Sequence, residues 1–224
     1  MSYDLDRAII ERRSVRGFLA KTVPSEVLKE VLTLAQHAPS NCNVQPWRVY
    51  IASGSTTERL RSALVDAVTS GKPPVMAAPM DEFFGTYRNK QIACAVELYG
   101  KMGIERGDRE GRFNANLRNF QFFDAPHVAY VCMSKSFGIG VALDVGMYVQ
   151  TLMLAMHSRG IGSCAQASLR AYPALVAEHL GIPGDEQILC GLSFGYEDPD
   201  VAANHTRQPR DPISNNVFFR GEPG

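Results

Sequence analysis

One tryptophan, five cysteines and no surplus of charge of either sign leave several functional classes without material in this 224-residue chain. Lys plus Arg number 23 and Asp plus Glu also 23. No global positive field is therefore available to hold nucleic acid or an anionic membrane, and neither partner is expected. Cys42, Cys94, Cys132, Cys164 and Cys190 are odd in number, widely spaced and mostly inside apolar runs, which fits reduced thiols better than a disulfide framework or a Cys-x-x-Cys site. The histidines, at 37, 127, 157, 179 and 205, lack metal-ligand spacing, and His-Glu-x-x-His, Gly-x-Ser-x-Gly and Walker motifs are absent. No metal site and no nucleophilic side chain are expected. The opening Met1-Ser2-Tyr3-Asp4-Leu5-Asp6 has neither a basic nor an apolar leader region, and no charge-free run reaches bilayer length. These absences predict a soluble, cytoplasmic protein.

What is present starts with a hydrophobic content of 45%, ample for a buried core. A single domain over residues 1–224 is expected. Leu5, Ala8 and Ile9 recur at helical spacing behind Asp4 and Asp6, predicting a short helix over 3–13. Pro24 and the stripe Val27, Leu28, Val31, Leu32 and Ala35 predict a second helix ending near Ala38. Trp47–Ser53, His127–Met133 and Gln187–Gly195 read as strands, and helices are expected from Thr56 or Thr57 to Ser70, from Tyr87 to Ile104 and from Pro173 to Leu180. The stretch Val141–Arg159 is apolar on nearly all sides. A helix of that kind is buried at the centre of a domain or in an oligomer interface, and Gly160 is placed to stop it.

Residues 71–124 carry the weakest pattern. Their aromatics, among them Phe84, Tyr87, Phe120 and Phe123, would suit either a core or the entrance of a substrate site. Gly160-Ile161-Gly162-Ser163-Cys164-Ala165 matches a dinucleotide fingerprint literally but follows a helix, not a strand, so a Rossmann assignment is rejected. The tail from Glu197 loses its pattern. It still holds Arg207, Arg210 and Val217-Phe218-Phe219, and leaving those apolar side chains in water would be costly, so packing on a partner subunit is expected.

Two polar clusters remain. Arg12-Arg13-Ser14-Val15-Arg16 concentrates three guanidinium groups in a short turn, and Arg207 with Arg210 repeats the theme at the other end of the chain. Arg grips phosphate bidentately. Pro39-Ser40-Asn41-Cys42-Asn43-Val44-Gln45-Pro46 offers amide and hydroxyl donors and acceptors, suited either to turn capping or to the edge of a heteroaromatic ring. With no side-chain constellation to do chemistry, an organic cofactor is the inferred carrier of reactivity.

Those motifs, Arg12-Arg13-Ser14-Val15-Arg16 with Phe18, then Ala38-Pro39-Ser40-Asn41-x-Asn43-x-Gln45-Pro46-Trp47, then Gly160-x-Gly162-Ser163 with Gln166-Ala167, and the ending from Asn204 through Arg207 to Arg210-Asp211-Pro212, closely resemble the FMN-dependent nitroreductase family over essentially the whole chain. The resemblance implies an α+β fold with a mostly antiparallel central sheet flanked by helices. It implies an intertwined homodimer with FMN at the subunit interface and a C-terminal extension, 197–224, wrapping the partner. It further implies cofactor contacts from Arg12, Arg13, Ser14, Arg16, Arg207 and Arg210, from Pro39, Ser40, Asn41 and Asn43 of the opposite subunit, from Gln45, and from Gln166, Ala167 and Ser168 near the flavin ring. Phe84, Tyr87, Phe120 and Phe123 are the candidate substrate contacts, within a variable lid over 71–124. The implied activity is reduction of a small nitroaromatic acceptor by NADH or NADPH in a ping-pong sequence, with the chemistry on flavin N5. Related readings are a reductase of quinones, enones or halogenated phenols, and, from a different class, a flavin-binding protein without turnover.

Overall fold

The computed structural model describes residues 4–76 and 82–221. Four strands, β1 (Arg48–Ser53), β2 (His127–Ser134), β3 (Gly162–Gln166) and β4 (Glu186–Gly195), form one sheet in the order β1-β2-β4-β3, every pair antiparallel. Seven α-helices lie among the described residues: α1 (Leu5–Glu11), α2 (Ser25–Ala35), α3 (Ser55–Thr69), α4 (Gly85–Lys101), α5 (Arg109–Phe120), α6 (Ile139–His157) and α7 (Pro173–Leu180). The expected α+β class and antiparallel sheet are what the chain adopts.

β2 explains why its sequence reads as an unbroken apolar run, because both of its faces are covered. Val128, Tyr130 and Cys132 point into a core with Leu60 and Leu64 of α3, Phe122, Leu169 and Val176 of α7. Ala129, Val131 and Met133 point into a second core with Val31 and Ala35 of α2, Tyr148, Leu152 and Met156 of α6, and Trp47. Trp47 stacks on Tyr148 at 4.8 Å and donates Nε1–H to Gln36 Oε1 at 3.0 Å, so the tryptophan's polar edge is satisfied where its ring is buried.

Several boundaries differ from the sequence expectation. α2 ends at Ala35, three residues early, because His37 and Ala38 turn with tighter bonds to Leu34 and Ala35 carbonyls ahead of Pro39. α5 was not expected; Asp108 caps it by accepting the Gly111 N–H at 2.8 Å. β3 also lay outside the expected strands, being made of small and polar residues. Gly160 (φ +70°) and Gly181 (φ +66°) do terminate α6 and α7 in left-handed geometry.

α6 buries only one face. By length and composition it is the one helix among the described residues able to cross a membrane, yet Asp144, Tyr148 and Leu152 are buried against the fold while Ile139 and Leu143 stand exposed. Of the apolar residues of α1, only Ala8 is buried; Leu5, Ile9 and Ile10 are exposed, as are Val217, Phe218 and Phe219 of the tail.

Candidate functional site

The arginine turn is fixed by its backbone. α1 closes with the Arg12 N–H donating to Ala8 O, and the chain then runs extended beside β3, with Ser14 bridging Ser163 and the Val15 N–H donating to Ser163 O at 3.0 Å. This close approach requires glycine in β3, since a Cβ on Gly162 would sit 2.8 Å from the Val15 side chain. Past the arginines, the Phe18 N–H donates to Phe123 O, and Asn204, 1% exposed, clasps the turn. Its Oδ1 accepts the Arg16 N–H at 2.6 Å while its Nδ2 donates to Gly17 O and Asp198 O at 2.9 and 2.8 Å.

Arg12, Ser14 and Arg16 face a cavity of about 650 Å³ whose opposite wall is His157, Thr206, Arg207 and Arg210. The two arginine groups, nearly two hundred residues apart in sequence, thus meet in one cleft. Arg207 is held through Nη1 by the Asn204 and Thr206 carbonyls, and Arg210 through Nη1 by Gln208 and Pro209 carbonyls. A guanidinium has five N–H donors, so both retain donors for an anion. Arg12 is the most exposed to this imbalance. Its Nε is buried without a hydrogen-bond partner, and its pKa is lowered by burial first and by the neighbouring Arg210 charge second, with Cys164 opposing. An anion in the cleft would offset the Arg210 charge and give these guanidinium groups acceptors.

Arg13 sits on the wall but is committed elsewhere. Its Nη2 reaches both oxygens of Glu197 at 2.5 Å, fixing the turn just past the end of β4, while its Nε, like that of Arg12, is buried without a hydrogen-bond partner. Gln166 is likewise buried and engaged, its Oε1 accepting from Ser193 Oγ at 2.5 Å and its Nε2 donating to Asn119 O at 3.0 Å. The Gln166 side chain serves the fold. Ala167 and Ser168 follow in a 3-10 turn, and strand rise of about 3.3 Å per residue places Gln166 roughly 10 Å from Ser163 and the arginine turn.

The amide loop lies elsewhere in the same chain. Asn41, Asn43 and Gln45 are exposed, Pro39 is exposed and Ser40 half-buried, and none lines the arginine cleft. Cys42, Asn43 and Gln45 hold φ of 50°, 55° and 50°, a left-handed geometry that costs roughly 1–3 kcal/mol per residue unless its surroundings enforce it. Two contacts do so here. Asp144 of α6 accepts the Asn41 N–H at 3.1 Å, and Ser40 Oγ accepts the Gln45 N–H at 2.9 Å.

A second cavity, of about 420 Å³, opens from the other side of Arg16 between α4, α5 and residues Val201–Ala203. Phe123 forms part of its wall with Tyr99, Asn116 and Asn119. Phe122, Phe123 and Asp124 all have positive φ (57°, 53° and 65°), pinned by Arg61 donating to the Gln121 and Ala125 carbonyls and by the 2.7 Å Arg118–Asp124 pair. Phe120 instead packs edge-on against Tyr172 in the core, at 5.9 Å. Phe84 and Tyr87 stand exposed at the start of α4, edge-to-face at 6.5 Å.

His157 and Asn204 escaped sequence reasoning as site residues, whereas Tyr99 is one of the aromatics of 71–124 that suit either a core or a substrate entrance. His157 ends an apolar helix at a position where a basic residue already suits the helix dipole, so nothing set it apart. Among the described residues no group of His, Cys, Asp and Glu is arranged to hold a metal ion, and all five cysteines are free.

This sheet, with an arginine turn laid along its β3 edge, defines a recognised class. The nitroreductase family profile matches residues 9–196, and the chain belongs to that family. It is 38% identical to nitroreductase NfnB of Mycolicibacterium smegmatis, over 96% of this chain and 92% of that protein. It is 31% identical to a 4-nitrobenzoate reductase of Pseudomonas putida, over 97% and 96% of the respective chains. The crystal structure of the FMN-dependent NfnB of Mycobacterium smegmatis in complex with NADPH superposes with a TM-score of 0.93, covering 96% of this chain and 97% of that one.

Proposed function

We propose that this chain is an FMN-dependent oxidoreductase that uses NADPH or NADH to reduce small nitroaromatic compounds, acting as a cytoplasmic, single-domain homodimer with the cofactor between subunits. The observation that carries it is the cleft where Arg12, Ser14, Arg16, Arg207 and Arg210 converge, with the Arg12 Nε buried and unbonded. That donor set fits a phosphate monoester: planar guanidinium donors, a hydroxyl, and repulsion between Arg12 and Arg210 that an anion would offset. FMN, when bound there, supplies the two-electron chemistry between donor and acceptor.

The chain's own residues do the rest. Arg12, Ser14, Arg207 and Arg210 hold the phosphate, while the Glu197-anchored Arg13 and the Asn204 clasp keep the turn in register. Arg16 belongs to both the arginine cleft and the second cavity, so its positive charge lies where negative charge on a reduced ring is stabilised. The backbone from Gln166 to Ser168 flanks the ring at the far end of β3. The rigid amide loop, from Pro39 to Gln45, complements the same site from the partner subunit. The exposed apolar residues of α1, α6 and the tail supply the dimer surface.

Donor and acceptor use the second cavity in turn, which gives ping-pong kinetics. Relatives named as 4-nitrobenzoate and nitrobenzene reductases support a nitroaromatic acceptor. The test is NADPH and NADH oxidation by the purified protein with and without a nitroaromatic. Acceptor-dependent turnover with parallel double-reciprocal plots is expected. Bound FMN without turnover with either dinucleotide would contradict the enzymatic reading.

A further inference from the structure

A third cavity, of about 670 Å³, runs along α4 and shares no lining residue with the arginine cleft. Three guanidinium groups, Arg88, Arg106 and Arg112, face a single carboxylate, Glu105, along its walls. Among the described residues the Arg112 Nε is buried without a hydrogen-bond partner, and the Arg88 guanidinium bonds the neutral Gln91 and no carboxylate. Between the cations lies an apolar strip, Ile92, Val96 and Tyr99, one face of α4 at helical spacing. A site with a flat apolar floor and surplus guanidinium donors takes a planar heterocycle carrying a strongly anionic group.

Neighbouring cavities share a lining residue. Arg16 lines both the arginine cleft and the second cavity, and Tyr99 lines both the second cavity and this groove. A ligand with one end beside Arg16 and the other in this groove would cross at Tyr99. Along α4 the step from Tyr99 to Arg88 spans eleven residues, about 16 Å at 1.5 Å per residue, enough for an extended dinucleotide.

We propose that this groove binds the adenosine 2′-phosphate end of NADPH, the adenine lying on Ile92, Val96 and Tyr99 and the phosphate held by Arg106 and Arg112. A 2′-phosphate carries about −1.5 to −2 charges at pH 7 with three acceptor oxygens, which matches the surplus of guanidinium donors. The chain accordingly discriminates NADPH from NADH through α4 and the turn into α5, well away from the cofactor phosphate cleft. The inference rests on the dinucleotide-dependent reading above.

The test titrates the FMN-loaded protein with 2′,5′-ADP and with 5′-AMP by calorimetry, in the wild type and in R106Q and R112Q, alongside steady-state kinetics with both dinucleotides. Expected are preferential binding of 2′,5′-ADP, at least a tenfold loss of that binding in R112Q, and a similar fall in the ratio of kcat/KM for NADPH over NADH. Equal binding of the two nucleotides, or variants that leave the NADPH-to-NADH ratio where it was, overturns the proposal while acceptor-dependent turnover leaves the enzymatic reading standing. Flavin absorbance per chain at the wild-type level shows that the variants are folded and loaded.

Discussion

At the scale of single residues, Arg12 and Arg13 share a buried Nε without a hydrogen-bond partner and differ in what else holds them. The Arg13 Nη2 is paired with Glu197, both side chains half-buried just past the end of β4. No carboxylate pairs with Arg12 among the described residues, and it lines the arginine cleft. Charged hydrogen bonds contribute about 1.5–3 kcal/mol each, so Arg12→Ala is expected to weaken FMN binding roughly 10- to 100-fold with little change in melting temperature, measured by flavin fluorescence titration of apo-protein. Asn204→Ala acts on the fold, because it strips the Arg16 N–H and two carbonyls of their partner at a buried position. We expect a loss of about 3 kcal/mol, or a Tm lower by roughly 6–12 °C for a chain of this size. The arginines and the amide loop were legible in the sequence because charged and amide residues crowd short segments there. Asn204 and His157 were not, since each is a lone polar residue whose importance comes only from what tertiary structure places beside it.

A residue-level pH effect follows from His127. Its Nε2 accepts the Val23 N–H at 3.0 Å, so Nδ1 carries the proton and donates to Ser53 Oγ at 2.7 Å, and the ring stacks on Phe194. Burial lowers its pKa below the ordinary 6.5. The unfolded chain then takes up the proton first on acidification. Stability is therefore full above about pH 6.5 and is lost as pH falls from there through the lower folded-state value. Denaturant titrations of His127→Phe should show a shallower acid-side decline than wild type, whatever its absolute stability.

At the scale of elements, the functional parts are those that depart from regular geometry. β3 escaped sequence reasoning because its residues are small: Gly162 makes room for Val15, and no β-branched residue marks the strand. The helices and central strands were legible because burial imposes periodicity. α5, polar and with only Phe120 buried, gives no such period. The amide loop adds the reverse case, a stretch that sequence marked as irregular and that is held rigid in left-handed geometry by α6. Asp144→Ala removes the acceptor for the Asn41 N–H. It is expected to lower FMN affinity several-fold to tenfold through loss of loop order, readable in the same titration and, independently, as faster amide exchange confined to residues 40–45.

At the scale of the whole molecule, the polar clusters read from the sequence do not all meet within one chain. The amide loop lies away from the arginine cleft, and apolar residues of α1, α6 and the tail stand in solvent together. A long apolar helix is read either as a domain centre or as an interface, and α6 has one face in the core and an apolar face turned outward, the face proposed above for a partner. Leu143→Glu places a charge on that outward face without touching the core. Sedimentation should show a monomer, and the monomer should lose its FMN. A monomer that keeps full FMN affinity would confine the cofactor site to a single chain.

The measurement closest to the central claim is the flavin content of the purified protein, read from its visible absorbance before and after unfolding and from FMN uptake by apo-protein. The account predicts a yellow protein that releases FMN on unfolding and rebinds one per chain, with affinity falling in Arg12→Ala and Arg210→Ala. A folded, dimeric protein that takes up no FMN, or binds it equally well without those arginines, would contradict it.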